Sequence, residues 1–193
     1  MSFEMPNVFS EINWILFMEN DGLVIVYTGK GKGKTTAALG IALRATGYGK
    51  KSCMIQFIKG SWHYGEMDSS KRLEPEFEMI AVGKGFVGII DDKTSKEVHK
   101  DIAKEAVKIS IEKIQSGNYD IVILDEINYA VNLDLISVDD VLNIIKSKPV
   151  KVDLVLTGNY AKNEVMDIAD LVTEMREIKH PFQQGIKAKK GID

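Results

Sequence analysis

Short apolar runs recur along the chain and alternate with stretches of helical spacing. They predict strands near Leu23–Tyr27, Ser52–Ile58, Phe77–Ala81, Ile121–Asp125, Val152–Thr157 and Leu171–Glu174. Between them, Ala37 to Ala45 is built of strong helix formers. Val98, Ile102, Ala106 and Ile109 repeat at helical spacing after Thr94-Ser95-Lys96-Glu97, which reads as a capping box, and Gly117 supplies a stop. A further helix is predicted from Ser137 as cap, with Asp139 and Asp140 in its first turn and Val141, Ile144 and Ile145 on its apolar face. Strand and helix in alternation imply an α/β fold: a doubly wound, mostly parallel sheet with helices on both faces.

Between the first strand and the first helix stands Thr28-Gly29-Lys30-Gly31-Lys32-Gly33-Lys34-Thr35-Thr36. A glycine-rich turn that opens a helix is a phosphate-binding device. Glycine lets backbone amides converge on phosphate oxygens, and the helix N-terminus adds partial positive charge. Lys34 reaches outer phosphates, and the Thr35 hydroxyl suits a divalent metal. The usual pattern would start its glycines at Thr28; here they start at Gly29. The fold expected is therefore of the P-loop NTPase type. The strand Ile121–Leu124 ends in Asp125 and Glu126, where at least one carboxylate is expected to face a metal at the loop.

With 193 residues and 45% hydrophobic content, the chain is long enough for one well-buried domain, placed at residues 22–193. Residues 1–21 form an apolar arm carrying Phe9, Ile12, Trp14, Ile15, Leu16 and Phe17. Such an arm must cover something: its own domain, a dimer mate, or the ligand as a lid. A net charge of −3 argues against sequence-independent nucleic-acid binding. No apolar stretch approaches the ~20 residues of a membrane span, and the start lacks a basic leader; the expected location is the cytoplasm. The single cysteine, Cys53, falls in a strand and is expected to be buried rather than reactive. His63, His99 and His180 are scattered without metal-ligand spacing, and His99 is expected on the surface of the long helix.

Five segments together resemble the ATP:corrinoid adenosyltransferases. They are Thr28–Thr36, Gln56-Phe57-Ile58-Lys59-Gly60-Ser61-Trp62 with Gly65-Glu66, Gly85-Phe86, Leu124-Asp125-Glu126, and the tail Lys179–Asp193. The likeness covers the chain from about Asp21 to its end, and the tail is its most family-specific part. The resemblance implies transfer of the 5′-deoxyadenosyl group of ATP to the Co(I) centre of a reduced corrinoid, with release of triphosphate, in adenosylcobalamin biosynthesis or salvage. Co(I) is itself the nucleophile, so the lack of a Ser, Cys or His constellation is expected.

By the same resemblance ATP lies on Gly29, Lys30, Gly31, Lys32, Gly33, Lys34, Thr35 and Thr36, with Arg44 as a nearby cation, in the reverse sense from most P-loop enzymes. Magnesium or manganese is held by Thr35 and Glu126. Lys34 and Phe86 carry catalysis, and Phe86 and Trp62 contact the corrinoid, Phe86 displacing the lower ligand of cobalt. A homodimer and an electron-donating flavoprotein are implied partners. Two positions depart from the family pattern: Gly88 where a tryptophan is common, and Asn159 where arginine commonly follows Thr157-Gly158. Two other readings compete. A P-loop phosphotransferase would need an arginine-bearing lid, yet the chain has only Arg44, Arg72 and Arg176. An ATP-gated corrinoid carrier would bind both ligands and leave ATP intact.

Overall fold

The computed structural model describes residues 21–58, 63–83 and 95–192. Within them lie six strands: β1 (Val24–Thr28), β2 (Ser52–Gln56), β3 (Phe77–Ala81), β4 (Ile121–Asp125), β5 (Asp153–Thr157) and β6 (Leu171–Glu174). All six fall within two residues of the runs expected from the sequence. They form one sheet in the order β3-β2-β4-β5-β1-β6, and every neighbouring pair is parallel. The C-terminal ends of all strands therefore share one edge of the sheet, where α/β proteins place their ligands.

Helices cover both faces. In β4, Val122 and Leu124 point to one apolar core while Ile121 and Ile123 point to the other, so the strand reads as an unbroken apolar run. On one face, α1 (Lys34–Thr46) presents Ala38, Ala42 and Ala45 to Met54, Phe77 and Ile123. Alanine at each inward position lets the helix sit close to the sheet, directly behind the loop that begins it. On the other face lie α3 (Lys96–Gln115), α5 (Val138–Ser147) and the short α6 (Asn163–Asp167). Two more short helices, α2 (Gly65–Lys71) and α4 (Ile127–Asn132), follow β2 and β4.

The N-terminal end of α5 forms as expected. Ser137 Oγ accepts from Asp140 N and Asp140 returns the bond to the Ser137 backbone, a complete capping box. The long helix differs from expectation in two respects. Its cap is Ser95, whose hydroxyl accepts from Val98 N, and Thr94 lies outside the described residues. Its inward stripe is His99, Ala103, Ala106, Ser110 and Ile114, shifted from the expected Val98, Ile102, Ala106 and Ile109. His99, expected at the surface, is 4% exposed, whereas Val98 is 40% exposed. Small residues explain the shift. A helix backed by Ala103, Ala106 and Ser110 approaches the sheet closely, and Ser110 Oγ donates to Ala106 O at 2.6 Å, so its burial leaves no donor unpaired.

Cys53 is fully buried in β2, as expected, next to Glu78 of β3 in register. Burial, reinforced by the Glu78 charge, pushes its thiol from 9.0 up to about 12. Glu78 itself stays ionised: burial would raise its carboxyl, but hydrogen bonds from Lys113 and Tyr119 outweigh that and lower it.

Candidate active site

The glycine-rich loop leaves β1 at Thr28 and enters α1 at Lys34 through Gly33, whose φ of 115° is open to glycine and strained for other residues. The loop is backed by the segment that follows β6. Gly31 N donates to Met175 O at 2.6 Å, and Met175 N donates to Thr28 O at 2.8 Å. A Cβ on Gly29 would lie 2.5 Å from Met175 O, and one on Gly31 would lie 2.7 Å from main-chain atoms of Met175 and Arg176. Two of the glycines thus serve close backbone packing as well as the phosphate-side curvature. The Gly31 amide is committed to Met175, which leaves phosphate contacts to the later loop amides and the first turn of α1.

Lys34 folds back over the loop. Its Nζ donates to the carbonyl oxygens of Gly29 and Gly31, both at 2.8 Å, and the residue is 8% exposed. Burial lowers its pKa from the ordinary lysine value, while the charges of Glu126 and Asp125 act in the opposite direction.

Asp125 ends β4 fully buried, and its carboxylate is the hub of the site. Oδ1 accepts from Thr35 Oγ1 at 2.8 Å and from Thr157 Oγ1 at 2.8 Å; Oδ2 accepts from Gln56 Nε2 at 3.3 Å. Those donors come from α1, β5 and β2, so one buried carboxylate ties the loop to two strand ends. Glu126 follows with a φ of 64°, a left-handed conformation that is rare outside glycine and clusters at functional sites. Its N–H is held by Thr157 Oγ1 at 2.9 Å. Thr157 therefore positions both carboxylates, accepting from one backbone and donating to the other side chain. Sequence reasoning attaches no such role to Thr157 or Gln56; the available signal was that both are polar residues ending apolar strands.

A cavity of about 630 Å³ runs along the helix side of the loop, lined by Lys32 to Thr36, Tyr64, Glu66 and Glu126, and by Gly191 and Ile192 of the tail. The structure thus brings together Lys32, Gly33, Lys34, Thr35, Thr36 and Glu126. Gly29, Lys30 and Gly31 form the earlier half of the same loop. Arg44 is not a neighbour of the loop. It lies exposed in the last turn of α1, ten residues beyond Lys34, about 15 Å along the helix axis at ~1.5 Å per residue. Trp62, Phe86 and Gly88 lie outside the described residues. Asn159 follows Gly158, and its Oδ1 is buried without a hydrogen-bond partner.

A divalent cation fits this donor set. The Thr35 hydroxyl and the Glu126 carboxylate are hard oxygen ligands on the cavity wall, few enough that phosphate and water oxygens would complete an octahedron around magnesium, while the buried Asp125 carboxylate is taken up by Thr35, Thr157 and Gln56. Among the described residues no helix is long and apolar enough to cross a membrane.

The wider fold is shared with the flagellar accessory protein FlaH from Methanocaldococcus jannaschii, with a TM-score of 0.52 and 14% identity over 79% of this chain and 70% of that one. Closer likenesses come from sequence. A corrinoid adenosyltransferase from Sinorhizobium sp. is 40% identical over 177 residues, covering 91% of this chain and 81% of the relative. The corrinoid adenosyltransferase of Escherichia coli K12 is 36% identical over 172 residues, 89% of this chain and 85% of its own. Corrinoid adenosyltransferase CobA of Salmonella typhimurium is 35% identical over 175 residues, 91% of this chain and 87% of its own. The sequence model of the ATP:corrinoid adenosyltransferase BtuR/CobO/CobP family matches residues 20–193, the whole span from the loop strand to the tail, and the chain belongs to that family.

Proposed function

We propose that this chain transfers the 5′-deoxyadenosyl group of ATP to the cobalt of a reduced corrinoid, using the Thr28–Thr36 loop to hold the triphosphate. The observation that carries the reading is the junction of that loop with Asp125 through the Thr35 hydroxyl, inside a family whose members use ATP and corrinoid. In the reaction the Co(I) electron pair forms a bond to C5′, the C5′–O bond breaks, and its electron pair leaves on triphosphate. No side chain must act as nucleophile or general base. The protein's task is alignment and stabilisation of the charge that grows on the leaving group.

Lys34 suits that task once its ammonium exchanges the Gly29 and Gly31 carbonyls for phosphate oxygens, since a buried cation acts in a medium of low dielectric. Lys32 adds positive charge on the cavity side of the loop; Lys30 does not line that cavity. Thr35 and Glu126 hold magnesium or manganese, with Asp125 orienting the Thr35 hydroxyl. A bound divalent ion would neutralise charge on the triphosphate and fix its conformation. Arg44 remains a cation of the same helix, farther from the loop than Lys34.

The finer assignments rest on the family likeness. Phe86 displaces the lower axial ligand and Trp62 contacts the corrinoid. The reversed nucleotide turns C5′ toward the corrinoid, residues 1–21 act as an arm or lid on a domain spanning 22–193, and the working enzyme is a cytoplasmic homodimer supplied with electrons by a flavoprotein. The test is direct. The protein, ATP, magnesium and chemically reduced cobalamin should yield a light-sensitive cobalt–carbon bond and inorganic triphosphate in equal amounts; ADP or orthophosphate as the stoichiometric product would exclude the reading.

A further inference from the structure

The phosphate loop has a second cavity on its other side. About 740 Å³ in volume, it opens where β1 runs into the loop at Thr28–Lys30. It shares no lining residue with the cavity at Lys32–Thr36. Gly31 builds the partition, bonded through its N–H to Met175 O and too close to Met175 and Arg176 for any side chain to intervene. A ligand on one side therefore cannot extend to the other without parting loop from backing.

The chemistry of this second cavity is mixed in a specific way. Tyr160, Met166 and Val172 give it apolar walls, Lys30 and Arg176 give it two cations, and Glu174 and Glu177 give it two carboxylates. Tyr160 is 47% exposed, with its position set by its backbone and its neighbours. Its backbone is left-handed, with φ of 61°, and its ring stands 6.3 Å from that of Tyr129 at 33°. Thr28 Oγ1 accepts from Ala161 N at 3.1 Å, which pins the residue following Tyr160 to the end of β1. A fixed aromatic face beside apolar walls suits a flat heterocycle. A carboxylate suits amino or hydroxyl donors, and paired Lys and Arg suit a phosphate.

We propose that this cavity binds a nucleoside monophosphate, with the base against Tyr160, donors of base or ribose on Glu174, and phosphate on Lys30 and Arg176. A longer phosphate chain would run into the Gly31–Met175 partition, so a monophosphate fits where a triphosphate does not. The site is separate from the one that holds the reacting triphosphate, and both can be filled together. The inference does not depend on the reaction assigned to the first cavity.

AMP is the probe. Titrated into the full-length protein by calorimetry with saturating inorganic triphosphate and magnesium present, AMP should bind one per chain, with a Kd within about twofold of that measured without triphosphate. Tyr160→Ala should weaken AMP by about tenfold or more, the order expected for a lost base–aromatic stack, and Arg176→Gln should weaken it too. Tyr160→Phe should restore wild-type binding, and the KM for ATP in adenosylation should change less than twofold in all three. Absence of AMP binding, or displacement of AMP by triphosphate, would overturn the proposal. So would a KM for ATP that rises in parallel with the AMP Kd in Tyr160→Ala, because the cavity would then hold the base of the substrate. Each of those results leaves adenosyl transfer itself observable, so they are distinct from failure of the assigned reaction.

Discussion

Thr35 Oγ1 donates to Asp125 Oδ1 at 2.8 Å, which ties the first turn of α1 to the end of β4 through two side chains 90 residues apart in the sequence. Because Asp125 also accepts from Thr157 and Gln56, both carboxylate oxygens already face donors. Asp125→Asn must place an amide NH₂ against one of them, whichever way it is turned. The expected outcome is a loss of kcat/KM for ATP of about 100-fold, roughly 2.7 kcal/mol of transition-state stabilisation. Magnesium titration of the variant should show a raised requirement. A loss under threefold would show that the hub does not organise the site.

Gly31→Ala and Gly40→Ala should move stability in opposite directions. A Cβ at residue 31 would meet main-chain atoms at 2.7 Å, whereas one at residue 40, on the open side of α1, meets nothing within 4 Å. Alanine in a helix interior gains about 0.5–1 kcal/mol over glycine, so Gly40→Ala should raise Tm. Gly31→Ala should lower Tm and raise the KM for ATP, because the loop must part from Met175. Thermal melts of the two variants side by side check both signs.

Lys34 predicts a pH dependence. Its lowered pKa means the ammonium is present at low pH and lost as pH rises through a value below that of an ordinary lysine. The kcat/KM for ATP, which reports the free enzyme, should fall on the alkaline side earlier than an unperturbed lysine would allow. Lys34→Arg should lack that limb whatever its residual rate. In stability the same residue acts oppositely: where the unfolded chain holds the proton and the native one has lost it, stability rises with pH.

Cys53 should lower stability in alkali. The native thiol is pushed up to about 12 from 9.0, so between those values the unfolded chain ionises and the native one does not. The unfolded state then binds fewer protons, and the free energy of unfolding falls as pH rises. Denaturant melts at pH 8 to 10.5 should show a steeper decline in the wild type than in Cys53→Ala. Iodoacetamide should label the thiol only after unfolding.

Much of the fold is legible in the sequence because β1 to β5 are short runs dominated by apolar residues and separated by turns and helical stretches, a pattern with few other solutions. The helix phase of α3 was not legible. His99 and Ser110 are polar yet face inward, and Val98 is apolar yet faces out, so spacing of apolar residues points to the wrong stripe by one position. What decided it is packing distance, which favours Ala103, Ala106 and Ser110 against the sheet. At the site, the loop and the Asp125–Glu126 pair announce themselves by type and order. Thr157, Gln56 and Met175 do not, since their roles arise from strand order, and neighbours in the sheet are far apart in the chain. Arg44 shares a helix with Lys34, yet ten residues along that helix set the two about 15 Å apart.

The position of β1 in the sheet sets a schedule for the growing chain. The first strand made lies between β5 and β6, the last two made, with β1–β5 and β1–β6 partners such as Val24 with Leu154 and Ile25 with Leu171. Contacts so remote in sequence close late and slowly. During synthesis the phosphate loop emerges from the ribosome with neither a neighbouring strand nor the Met175 backing that holds Gly31. Nucleotide competence is therefore acquired only once translation has passed the last strand, and a chain cut short before Met175 would carry every loop residue yet present ATP with an unsupported ribbon.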